Sequence, residues 1–116
     1  MKLPAEGRLL RIFVGEADRW EGRPLYQAIV EAARHQGLAG ATAWKGFIGF
    51  GANSRVHTAK VLRLSEDLPV VIEIVDGPDK IEAFLPALDE MVQEGLVTLE
   101  RAKVIHYRHR TKKDGS

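Results

Sequence analysis

The chain has 116 residues, 45% hydrophobic and 28% charged, with 17 basic and 16 acidic side chains and no cysteine. That length fits one domain. The near-neutral balance offers no field for duplex DNA or a membrane surface, and the absence of cysteine excludes disulfides, thiolate metal ligands and a Cys nucleophile and suits the cytoplasm. Met1 to Arg11 has no long apolar run, so neither a signal peptide nor membrane insertion is expected.

Leu9 to Gly15 reads as a strand, with Arg11 breaking an apolar run. Glu16 to Arg23 is a polar loop. A helix follows with Pro24 in its first turn; Leu25, Ile29, Ala32 and Ala33 repeat at helical spacing, and Gly37 ends it. Gly40 to Phe50 is the second strand. Val56 to Leu64 alternates, with Val56, Thr58, Lys60, Leu62 and Leu64 on one side. Pro69 starts the strand that runs to Val75, which is apolar on both faces. Asp76-Gly77-Pro78 opens a second helix, whose buried stripe is Ile81, Phe84, Leu85, Leu88, Met91 and Val92. Pro86 should remove one of its backbone bonds and kink it. Gly95 stops this helix, Leu96 to Tyr107 carries the last strand, and 108–116 form a basic tail.

Strand, helix, two strands, helix, strand is the split βαβ order: an α+β, ferredoxin-like βαββαβ sandwich over residues 1–107, its antiparallel sheet covered on one face by two helices. Two helices leave the second face bare. Apolar residues there predict that it meets another copy of itself in a closed homo-oligomer.

The stretch Gly46 to His57 stands out. Three glycines alternate with large apolar residues before a polar, basic run, which predicts a hairpin with a long connection. Glycine backbone can approach an anion closely and turn its N–H groups toward it. The tail arginines offer forked donors to phosphate oxygens. His35, His57, His106 and His109 show no zinc spacing, and no metal is expected. Ser54 and His57 lack a nucleophile elbow, and no general base has an evident partner, so no enzyme is expected.

Gly40-Ala41-Thr42, Gly49-Phe50-Gly51 and Pro69 to Val75, in that order and spacing, resemble the PII signalling family, above all its PII-like branch. That branch shows patterns like Arg11 to Glu16, Gly37 to Thr42 and Leu68 to Val71. The resemblance implies a ferredoxin-like homotrimer with its sheets facing inward. It also implies an adenine nucleotide in the clefts between subunits, and a T-loop, here within Gly49 to Thr58, that docks on a target such as a transporter, channel or enzyme. By position, Thr42 lies near the base; Gly49, Phe50 and Gly51 form the T-loop root; and Gly95, Arg101, Arg108 and Arg110 complete the nucleotide site. Asn53, Ser54, Arg55 and His57 would face the target. Where the family reads Thr-Gly-x-Ile-Gly-Asp-Gly-Lys, this chain has Glu94 to Arg101, with Thr98 and Glu100 in place of two glycines. Glu100 would repel phosphates at close range, favouring ADP or AMP over ATP. No Tyr lies between Gly49 and Thr58, so uridylylation is not expected. The alternative is a ferredoxin-like trimer without nucleotide, of the divalent-cation tolerance type.

Overall fold

The computed structural model describes residues 5–50, 67–108 and 110. Its elements are β1 (Glu6–Gly15), β2 (Arg19–Trp20), β3 (Arg23–Pro24), α1 (Leu25–His35), β4 (Thr42–Lys45), β5 (Pro69–Asp76), α2 (Pro78–Met91) and β6 (Leu96–Lys103). Four strands form one antiparallel sheet in the order β4-β5-β1-β6. Setting aside the two-residue strands β2 and β3, this is the expected ferredoxin-like order, with the first and third long strands adjacent at the centre.

The alternation of β1 and β5 builds the core. Leu10, Ile12 and Val14 stand opposite Ile74, Ile72 and Val70, and all six are buried beneath the helices. Leu25, Ala28, Ile29 and Ala33 of α1, and Ile81, Phe84, Leu88 and Met91 of α2, close over them. Each helix shows the i, i+3, i+4 spacing of one apolar face. Gly37, at φ +81°, ends α1: its N–H bonds the Arg34 carbonyl and the Leu38 N–H reaches back to the Ala33 carbonyl. That is a Schellman stop, and a Cβ there would be strained. Pro78 starts α2, where the missing N–H costs nothing, and Pro86 sits on its exposed side.

Three boundaries differ from the sequence reading, each for a partner's sake. The second long strand is only Thr42–Lys45: the Gly46 N–H still bonds the Pro69 carbonyl at 2.8 Å, but Pro69 has no N–H to return and the pairing ends there. The last strand stops at Lys103 because β1 begins at Glu6; Val104 donates once more, to the Ala5 carbonyl. The polar loop 16–23 contains a small hairpin, β2–β3, turned by Glu21 (φ +48°) and Gly22 (φ +82°), and it lays Trp20 against the core. The alternating stretch Val56 to Leu64 lies outside the described residues.

The second face of the sheet is not uniformly apolar. Its middle row is Thr42, Glu73, Arg11 and Thr98, flanked by Val71, Phe13 and Leu96 on one side and Val75 and Leu9 on the other. Among the described residues no helix covers it; Leu9, Phe13, Val71 and Val75 are half-buried by their neighbours, while Trp44 and Leu96 are exposed.

Candidate functional site

The root of the Gly-rich loop is anchored at one corner of the sheet. Gly46 and Gly49 pass so close to Pro69 that an added Cβ on either would sit 3.0 Å from its Cγ, so the absent side chain is what permits the approach. Around this root Trp44, Phe47, Ile48 and Phe50 are exposed, Phe47 to 89%. Beside it, Glu16, Tyr26, Ala43, Trp44, Lys45 and Val70 line a hollow of about 130 Å³. Lys45 donates to Glu16 at 2.8 Å on its rim, and that hydrogen bond raises the ammonium pKa above its ordinary value. Cavities that hold small-molecule ligands run to about 300–1,000 Å³, so this hollow, as the described residues line it, does not enclose a nucleotide.

The residues nominated from sequence divide into two groups. Gly49 and Phe50 follow Lys45, which stands opposite Val70, and Gly95 precedes Leu96, opposite Phe13: all three belong to the Pro69 end of the sheet. Arg101 stands opposite Arg8 near the other end, and the chain leaves β6 there and crosses to Ala39, which brings Arg108 toward the β4 side of that end. Thr42 lies between, opposite Glu73. The eight residues of β5 span roughly 25 Å, and the three strand spacings from β4 to β6 cover about 14 Å. The described candidates are therefore spread over two edges and two ends of one protomer. Gly51, Asn53, Ser54, Arg55 and His57 lie outside the described residues.

Two details change the charge picture. Arg101 is in strand β6, not in the turn after α2; of that motif only Glu94 and Gly95 are in the turn. Gly95, at φ +150°, is required there, since a Cβ would meet the Phe13 carbonyl oxygen at 2.6 Å. Because successive strand residues point to opposite faces, Glu100 and Arg101 part company. Glu100 lies on the uncovered face, where Arg11 Nη1 reaches its carboxylate at 3.3 Å while Arg11 Nε donates to Glu73 at 2.8 Å. The hydrogen bond to Glu73, with the charges of both carboxylates, holds the guanidinium above its ordinary pKa. Glu100 is thus engaged with Arg11 rather than aimed at the edge where Arg101 stands, and its charge does not argue against a triphosphate. The register that creates this cluster joins residues 62 and 89 positions apart, beyond any local sequence signal.

Among the described residues no group of three or more His, Asp or Glu side chains is placed to hold a metal ion, and no helix is long and apolar enough to cross a membrane.

Residues 7–104 match the family described as DUF190, "Uncharacterized ACR, COG1993". The chain belongs to that family. A UPF0166 protein of Aquifex aeolicus is 39% identical to it over 99 residues, spanning 85% of this chain and 93% of the other. Among solved structures, a protein of Thermus thermophilus described as PII-like and signalling superposes with a TM-score of 0.61 at 17% identity, over 90% of this DUF190 chain and 94% of that one. CPII of Thiomonas intermedia K12, bound to ADP, AMP and acetate, superposes with a TM-score of 0.56 at 17% identity, over 90% and 92% of the two chains. The DUF190 chain therefore has the PII-like, ferredoxin-like fold.

Proposed function

We propose that this DUF190 protein is a non-enzymatic PII-like regulator. It assembles as a homotrimer through the uncovered sheet face, binds an adenine nucleotide between subunits, and signals to a target protein through the loop within Gly49 to Thr58. The observation that carries the reading is the division of the candidate residues between two edges and two ends of the sheet. Among the described residues no single protomer gathers them all, and the hollow beside the loop root is too small for a nucleotide. A second copy, seated on the uncovered face, brings the β4 edge of one chain to the β6 edge of another and makes a groove that neither has alone. The apolar rim of that face, with Trp44, Phe13, Val71 and Leu96, is the kind of surface that subunits bury.

ADP or AMP is the favoured nucleotide. The CPII fold neighbour binds both, and with fewer phosphate-facing glycines after α2 the arginines Arg101, Arg108 and Arg110 are the groups that would meet a short phosphate chain, while Gly95, at the Pro69 end of the sheet, would border the loop root instead. The site lies in the cytoplasm in this reading. Calorimetric titration with ADP, AMP and ATP tests it. Micromolar heat with ADP or AMP is expected; a flat trace with all three would remove the nucleotide and leave the ion-tolerance type of trimer as the surviving reading.

A further inference from the structure

After Val104 the chain leaves the sheet and crosses to the connection between α1 and β4. There the Tyr107 hydroxyl donates to the Ala39 carbonyl at 2.9 Å. Among the described residues this is the one hydrogen bond that holds 105–108 to the body of the protein. Its acceptor is a firm point. The Ala39 N–H donates to Asp76 Oδ2 at 2.9 Å, and the other oxygen of Asp76 accepts the Gly77 N–H at 2.7 Å. Asp76 is 2% exposed and is the sole buried charged side chain among the described residues. Both its acceptor atoms are occupied, so the carboxylate fastens Ala39 to the junction of β5 and α2. Two further bonds, Lys80 Nζ to the Gly37 carbonyl and Gln36 Nε2 to the Ala83 carbonyl, tie the same connection to α2.

Ala39 lies three residues before Thr42 in the chain, and Arg108 comes directly after Tyr107. A basic tail that would otherwise sample many conformations is therefore brought to the end of the chain's own β4 edge. We infer that Tyr107 is a positioning residue. Its bond to Ala39 latches the tail so that Arg108 and Arg110 meet the phosphates of the nucleotide that Thr42 helps to hold. The inference rests on the nucleotide reading above. A latched tail is ordered before the ligand arrives, so less conformational entropy is lost on binding. By reciprocity, bound nucleotide should tighten the latch.

The test uses the full chain with ADP as the probe. Tyr107→Phe keeps the ring and removes only the hydroxyl. Its Kd for ADP should rise about fivefold, the worth of one ordinary hydrogen bond, with little change in Tm. Changing Arg108 and Arg110 to Ala together should weaken binding more, and adding Tyr107→Phe to that pair should cost nothing further, because the latch acts only through those two arginines. Trypsin should cut after Arg108 faster in Tyr107→Phe than in the parent, and ADP should slow the cut in the parent. Unchanged affinity in Tyr107→Phe, with the parent still binding ADP, overturns the latch and leaves the nucleotide reading standing. A full additional loss from Tyr107→Phe on top of both arginine changes means the hydroxyl acts by another route, and this too overturns it. A parent that binds no ADP removes both proposals together.

Discussion

The two faces of the sheet come from the same strands and yet are made for different neighbours. Toward the helices, β1 and β5 present Leu10, Ile12, Val14, Val70, Ile72 and Ile74, with no charged group until Asp76 at the strand end. Away from them, the same strands present Leu9, Phe13, Val71 and Val75 around the ion-paired Arg11 and Glu73. The first face meets its partners within the chain and is entirely apolar where it packs. The second keeps a charged row at its centre and an apolar border. A face that served only the protomer's solubility would carry no such border, and a face that served only its stability would carry no such charges. In the proposed trimer this face would match another copy in one register, with Arg11, Glu73 and Glu100 setting the alignment.

The contrast can be broken at its strongest point first. Phe84 is fully buried on the helix side, so Phe84→Ala should cost about 3–5 kcal/mol, read as a drop in Tm and in the denaturant midpoint, whether or not the chains associate. Val71→Asp acts on the other face. It should leave the protomer's circular dichroism intact but dissociate the assembly, because an unpaired carboxylate would be buried between copies; light scattering reads the mass. Retained assembly in this variant would move the interface elsewhere. Arg11→Met should fall between those two kinds of effect. It leaves Glu73 and Glu100 near each other without their shared cation, so association should weaken more than protomer stability does.

The smallest effect is expected away from both faces. Gln27 of α1 and Arg23 of β3 hydrogen-bond Glu31 of α1 and lower its carboxyl pKa. A depressed folded value means the contribution is present above the unfolded Glu pKa of about 4.3 and fades as pH falls through the folded value. Glu31→Gln should therefore narrow the stability difference from the parent as the pH drops below about 4, and be silent to assembly. A difference that persists unchanged in acid would take the carboxylate out of the account.

Much of this was legible in the sequence, and the parts that were not share a cause. The apolar runs of β1 and β5 and the helical spacing of Ile81, Phe84 and Leu88 are local patterns, so they announced the ferredoxin-like order. Strand ends depend on where a partner stops, which is why the last strand stops at Lys103 rather than Tyr107, and the second at Lys45 rather than Phe50. The β2–β3 hairpin was hidden because Glu21 takes positive φ without being glycine. Gly46 and Gly49 could be nominated from sequence for close approach to an anion, and their close neighbour in the fold is Pro69; that contact, Arg11 between two carboxylates and Tyr107 on Ala39 each join distant segments whose register only the folded chain defines.

Everything proposed for the site requires that one chain's β4 edge be completed by another chain. Sedimentation equilibrium at micromolar concentration measures this most directly. The account predicts a single species at three times the 12.9 kDa of one chain. A well-folded species at the mass of one chain would contradict it.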